Sequence, residues 1–126
     1  MEKSIFVVDG NDTNLMLAER YLEDAYNVIT LPTVQKMFSL LAKVTPGLIL
    51  LDVDIQDMDC FDVLFYLKSD QIYLHIPIII TLGSRDTYID TRSIELGAAD
   101  LMIKPFSPNL LLNRVKIHME RASVRM

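Results

Sequence analysis

The chain has 126 residues and a formal charge of -5, from 17 Asp and Glu against 12 Lys and Arg, enough for one compact domain and too short for two ordinary ones. Hydrophobic residues make up 51% and charged residues 23%, which supplies a core and excludes the composition of a disordered segment. The acidic balance argues against phosphate-backbone binding, which rests on clustered Lys and Arg, and the single cysteine, Cys60, offers neither an internal disulfide nor a zinc cluster and fits a reducing compartment.

In chain order, Ser4 to Val8 is an apolar run of strand length, too short before Asp9 to be a signal peptide. Leu15, Ala18 and Leu22 then repeat at helical spacing. Asn27 to Thr30 is the second strand, stopped by Pro32, and Met37, Leu40 and Leu41 mark the second helix, which ends before Pro46 and Gly47. Leu48 to Leu51 is apolar on both alternating faces, the pattern of a strand covered by helices on both sides. Val63, Leu64 and Leu67 form the third helical stripe. Ile76 to Thr81 is the fourth strand, Ile94 and Ala98 the fourth stripe with Gly97 as a stop, and Leu101 to Ile103 the fifth strand. Pro108 opens a last helix with Leu111, Leu112, Val115 and Met119 on one face.

No apolar run approaches membrane length, and a cytoplasmic protein is expected. The basic end, with Arg114, Lys116, Arg121 and Arg125, reads as a solvated helix face, and His75 and His118 as surface or packing residues. The domain is set at residues 1–121, with 122–126 as a frayed tail or the start of a linker.

Strict alternation of strand and helix implies a doubly wound, three-layer α/β fold on a parallel sheet. In such folds ligands bind beyond the carboxyl ends of the strands, where the chain order reverses. Asp9, Asp52, Asp54 and Lys104 all follow strands and converge on one crevice. Carboxylates held together require a cation among them, a hard ion such as Mg²⁺ or an ammonium. Asp52, directly after Leu48-Ile49-Leu50-Leu51, reads as a partly buried functional carboxylate paired with Lys104. Asp12 and Asp57 read as caps of the helices that follow them, or as solvated acids.

Val7-Val8-Asp9, Leu50-Leu51-Asp52, Met58-Asp59-Cys60-Phe61, Gly97-Ala98-Ala99-Asp100 and Lys104-Pro105-Phe106, in that order over essentially the whole chain, resemble the receiver domain of two-component response regulators. The resemblance implies a CheY-like, flavodoxin-like three-layer sandwich with a five-stranded parallel sheet of order 2-1-3-4-5 and five helices. It implies a phosphorelay in which Asp52 takes a phosphoryl group from a phosphohistidine on a histidine kinase or phosphotransfer protein. Lys104 and Mg²⁺ would neutralise the transferred charge, with the metal held by Asp9, Asp52 and the main-chain carbonyl of Asp54. A cis bond before Pro105 is implied as well. Output is expected as protein-protein contact, to an effector domain or a second copy, through the face of the fourth helix, fifth strand and fifth helix. The domain would be a phosphoacceptor or interaction module with no turnover, no membrane and no nucleic acid of its own.

Three positions depart from the family pattern. Gly10 stands where a second metal-directed acid is usual, so Mg²⁺ affinity is expected to fall. Leu82 stands where a Ser or Thr hydroxyl closes the fourth strand, by counting from Asp52 and from Lys104, and the neighbouring Thr81 is expected to look away from Asp52. Leu101 stands three residues before the lysine, where the relay has an aromatic ring. These departures keep open a degenerate receiver that acts as a fixed interaction module. A haloacid-dehalogenase-like phosphatase, suggested by Asp52-Val53-Asp54, fails because Glu120 is the only acid after Lys104. A flavin site fails for want of a phosphate loop after the first strand.

Overall fold

Strands and helices alternate strictly in the computed structural model, which describes residues 3–124. They are β1 (Ser4–Val8), α1 (Asp12–Leu22), β2 (Asn27–Leu31), α2 (Val34–Leu41), β3 (Leu48–Asp52), α3 (Cys60–Ser69), β4 (Ile78–Leu82), α4 (Thr87–Glu95), β5 (Asp100–Ile103) and α5 (Pro108–Val124). Helix α5 runs past the expected boundary at residue 121, and Arg125 and Met126 of the expected tail lie outside the described residues. All strand pairs are parallel, in the order β2-β1-β3-β4-β5.

Helix starts follow local side-chain chemistry. Asn11, Thr33, Asp59 and Asp86 each accept a hydrogen bond from a backbone N–H of the first turn of α1, α2, α3 and α4, satisfying donors that the helix leaves unpaired. Gly97 ends α4 at φ 101°, a left-handed conformation that favours glycine. Gly47 lets α5 approach the sheet: a Cβ there would lie 2.7 Å from Met119 Cε.

Alternation along the strands divides the core in two. Phe6, Val8, Ile49, Leu51, Ile78 and Ile80 face Val34, Met37 and Leu41 of α2 and Val63, Leu64 and Leu67 of α3. Ile5, Val7, Leu48, Leu50 and Ile79 face Leu15, Ala18 and Leu22 of α1 and Leu111, Val115 and Met119 of α5. β3 and β4 are buried along their whole length, as the two-sided apolar runs require. Burying each such aliphatic side chain contributes roughly 1.5–3 kcal/mol before entropy is counted.

Two expectations need correction. β4 begins at Ile78, because the Ile76 carbonyl is taken by Lys68 Nζ at 2.6 Å and Pro77 has no N–H to give the ladder. The stripe of Ile94 and Ala98 is not the buried face of α4. Ile94 is 56% exposed and Ala98 lies beyond the glycine stop, so the residue that α4 buries is Ser93.

Candidate functional site

The sheet order reverses at β1, which has β2 on one side and β3 on the other, and loops leave the carboxyl ends of β1 and β3 in opposite directions. Asp9 continues the alternation of Ile5 and Val7, Asp52 that of Leu48 and Leu50, and Lys104 that of Met102, so all three belong to the α1/α5 side of the sheet. The structure brings them together: Lys104 Nζ lies 3.0 Å from Asp9 Oδ2 and 2.9 Å from Asp52 Oδ1. Asp9 and Asp52 are buried, and the Lys104–Pro105 bond is cis.

Two buried carboxylates around one ammonium set the electrostatics. Burial disfavours the charged form of Lys104, but the hydrogen bonds and negative charges of Asp52 and Asp9 outweigh it and hold its pKa above the ordinary lysine value. Asp9 Oδ1 accepts from Asn11 N at 2.8 Å and from Asn14 Nδ2 at 3.4 Å. Asp52 Oδ1 also accepts from Asp54 N at 3.0 Å. Among the described residues nothing donates to Asp52 Oδ2, so one oxygen of that carboxylate stays uncommitted. Asn14 escaped the sequence reading; its signal is a carboxamide in the first turn of α1, just past the Asn11 cap.

Asp54 contributes to this arrangement through its backbone. Its side chain is exposed, its N–H holds Asp52, and its carbonyl accepts from Gln56 Nε2 at 2.8 Å. Gly10 borders open space, with nothing within 4 Å of where a Cβ would sit. No cluster of three or more His, Cys, Asp or Glu side chains suited to a metal occurs among the described residues. The carboxylate oxygens of Asp9 and Asp52 are nevertheless hard donors of the kind Mg²⁺ takes, and that ion keeps several waters of its own. The donor chemistry therefore fits Mg²⁺ with two carboxylates where the family pattern has three.

The expectation for Thr81 is corrected by the register. Thr81 pairs with Asp52 across β3 and β4, and paired residues of a parallel sheet point to one face. Thr81 thus shares the side of Asp52 and Ile79, where it is buried. Leu82, one residue on, continues Ile78 and Ile80 toward the opposite face and is also buried. Leu101 packs against that same opposite half of the core. Both positions are filled by hydrocarbon.

Other polar residues turn out to be structural. Asp57 caps α2 instead of the helix after it, accepting from Val34 N and Gln35 N at 3.0 Å each, while Asp59 caps α3. Asp100 receives Arg114 Nη1 at 2.7 Å and lies 3.0 Å from His118 Nε2, tying β5 to α5. Burial opposes its ionisation, and those partners with the Leu101 N–H overcome it, holding the carboxyl below its usual range. Arg114 and His118 are therefore more than a solvated face.

Residues 5–116 match the response regulator receiver domain family. The chain belongs to that family. As a receiver domain it is a unit of two-component signalling, and its relatives agree. It is 32% identical over 125 residues to the alkaline phosphatase synthesis transcriptional regulatory protein PhoP of Bacillus subtilis, covering 98% of this chain and 51% of that protein. It is 34% identical over 121 residues to the transcriptional regulatory protein GltR of Pseudomonas aeruginosa, covering 95% and 50%. The receiver thus spans about half the length of these two relatives. Among solved structures, the BeF3-activated DrrB receiver domain superposes with a TM-score of 0.85 at 26% identity, covering 96% of this chain and all of that one. A CheY-like receiver from Methanospirillum hungatei shares the fold with a TM-score of 0.91 at 21% identity, each chain being covered in full. No helix among the described residues is long and apolar enough to cross a membrane.

Proposed function

We propose that this receiver accepts a phosphoryl group on Asp52 and signals through protein-protein contact. The observation that carries the reading is the Lys104 ammonium shared by Asp9 and Asp52 at the reversal point of the sheet. Lys104 and the Asp54 N–H hold Oδ1 of Asp52, leaving Oδ2 to attack phosphorus in line. An O–P bond forms as the P–N bond to a phosphohistidine breaks, and the departing imidazole takes a proton from water. Lys104 then faces the equatorial phosphoryl oxygens as well as the carboxylates. Mg²⁺, when bound by Asp9, Asp52 and the Asp54 carbonyl, supplies the remaining charge neutralisation.

The donor would be a histidine kinase or phosphotransfer protein in the cytoplasm. The receiver itself would be a phosphoacceptor without turnover. Residues 1–121 would form the unit and 122–126 lead toward an effector domain, or a second copy would pair through α4, β5 and α5. Incubation with acetyl phosphate and Mg²⁺, read by intact mass, tests this. One phosphoryl group per chain is expected, absent from Asp52→Asn, and Gly10→Asp is expected to lower the Mg²⁺ concentration needed, since the space beside Gly10 is open.

Leu82 and Leu101 favour a second reading, a phosphorylation-independent interaction module, because hydrocarbon at both positions takes away the hydroxyl and the ring of the family's relay and leaves Thr81 as the hydroxyl of β4 on the Asp52 side for a phosphoryl group to engage. Failure of Asp52 to be phosphorylated by acetyl phosphate and by a phosphohistidine donor alike would leave that reading standing.

A further inference from the structure

Basic side chains from three parts of the chain meet at the amino ends of β4 and β5, the far end of the sheet from Asp52 and Lys104. Lys68 of α3, His75 of the loop before β4, and His118 and Arg121 of α5 line a cavity of about 270 Å³, with Gly97 and Ala99 of the turn between α4 and β5. Among the described residues no carboxylate lines it, a local inversion of sign in a chain of net charge -5. The volume lies below the roughly 300–1,000 Å³ of pockets for drug-sized ligands and suits a small ion.

The acids that neighbour each wall in sequence are committed elsewhere. Asp70, after α3, accepts from Ile72 N and Tyr73 N at 2.7 and 3.3 Å. Glu95, at the end of α4, pairs with Arg92. Glu120 of α5 acts on Tyr26, whose phenol is raised by burial first and by that charge second. The Lys68 ammonium is fixed at the wall by the Leu74 and Ile76 carbonyls, 3.0 and 2.6 Å away, and Arg121 is exposed.

His118 narrows the chemistry. Asp100 is ionised, its carboxyl held below the usual range against the cost of burial by Arg114, His118 and the Leu101 N–H. A carboxylate can only accept, so the proton between the two side chains sits on His118 Nε2. Nδ1 of that neutral ring is then an acceptor. It has no partner among the described residues and is not sealed from solvent, although His118 is only 9% exposed. Two cations and one acceptor suit an oxyanion that keeps a proton of its own: charged oxygens meet Lys68 and Arg121, and the O–H donates to Nδ1. Hydrogen phosphate meets both demands at neutral pH. Sulfate, with no proton to give, meets one.

We propose that this cavity binds inorganic phosphate as the hydrogen phosphate ion, bridging α3 to α5. The site stands apart from Asp52 and does not depend on its phosphorylation. Titration of the ¹⁵N-labelled chain with phosphate and with sulfate, at equal ionic strength and neutral pH without Mg²⁺, tests it by NMR. Saturable amide shifts at Gly97, Ala99, His118 and Arg121 are expected with phosphate, and about tenfold weaker binding with sulfate. Arg121→Gln, at an exposed position, should weaken phosphate binding about tenfold, the scale of one charge-assisted hydrogen bond. Shifts that never saturate, that centre on Lys104, or that sulfate reproduces at the same concentration would overturn the proposal, as would unchanged affinity of Arg121→Gln. Phenyl phosphate separates the two sources of such an anion: tighter binding than inorganic phosphate would make a phosphomonoester the ligand and overturn the free ion.

Discussion

Lys104 is the residue on which the site's electrostatics turn, because among the described residues no other cationic side chain is in contact with Asp9 or Asp52. Lys104→Met keeps the length of the side chain and leaves two buried carboxylates uncompensated, a change that costs on the order of 2–4 kcal/mol. Urea unfolding at neutral pH should show that loss, and Mg²⁺ should recover part of it. The folded-state pKa of Lys104 is raised, so its contribution is fully present below the ordinary lysine pKa and fades only as pH rises through the raised value. The gap between the two proteins should therefore stay constant through neutral pH and close in strong alkali. Cys60 behaves oppositely to a reactive thiol. Burial first, then the charges of Asp59, Asp52 and Asp54, push its pKa up to about 12, roughly a thousandfold less thiolate at neutral pH than a thiol three units lower. Iodoacetamide should label Cys60 only on unfolding, and labelling of the native chain at the rate of a free thiol would contradict this placement.

Among the elements, α2 owes its start to a residue more than twenty positions away. Thr33 caps it locally through Lys36 N, and Asp57, from the loop after β3, takes the Val34 and Gln35 N–H groups. That loop carries Asp54 as well, so one carboxylate ties the helix to the segment bordering Asp52. Solvation of this surface acid is partly lost, but the backbone N–H groups prevail and hold its pKa below the ordinary value. Its contribution is accordingly present above the unfolded carboxylate pKa and lost as pH falls through the lower folded one. Asp57→Ala should cost about 1 kcal/mol, the scale of a lost cap, with faster hydrogen exchange at Val34 and Gln35. Equal exchange rates in the two proteins would show that Thr33 suffices alone. A local pattern could not have found this cap: the sequence marks Asp57 as an acid near a helix start, and only the folded chain decides which helix.

Across the whole molecule, what the sequence made legible was whatever depends on pattern within one element. The two-sided apolar runs of β3 and β4 fixed their central position, and the acids after Val8 and Leu51 fixed the site. What it did not disclose depends on register between elements. Counting from Asp52 and from Lys104 turns Thr81 away from Asp52, and a shift of one residue in the pairing of β3 with β4 reverses that answer. The same limit explains α4, where the apolar Ile94 is exposed and Ser93 is fully buried with its hydroxyl unpartnered in the described structure. Stability should therefore be uneven between layers. α2 and α3 anchor one half of the core through seven buried side chains, while α4 seats against it on a serine and leaves Tyr88 68% exposed. Native-state hydrogen exchange should find α4 opening at a lower free energy than α3 or the central strands. Ser93→Ala removes a buried hydroxyl without a partner, and is expected to stabilise the protein by about 1 kcal/mol while raising protection in α4 selectively. If α4 proves as protected as α3 and Ser93→Ala destabilises instead, the hydroxyl has a partner in solution and the helix is firmly held. Should α4 open readily, the face proposed for output is also the layer that folding energy constrains least, and a bound partner can reposition it at small cost.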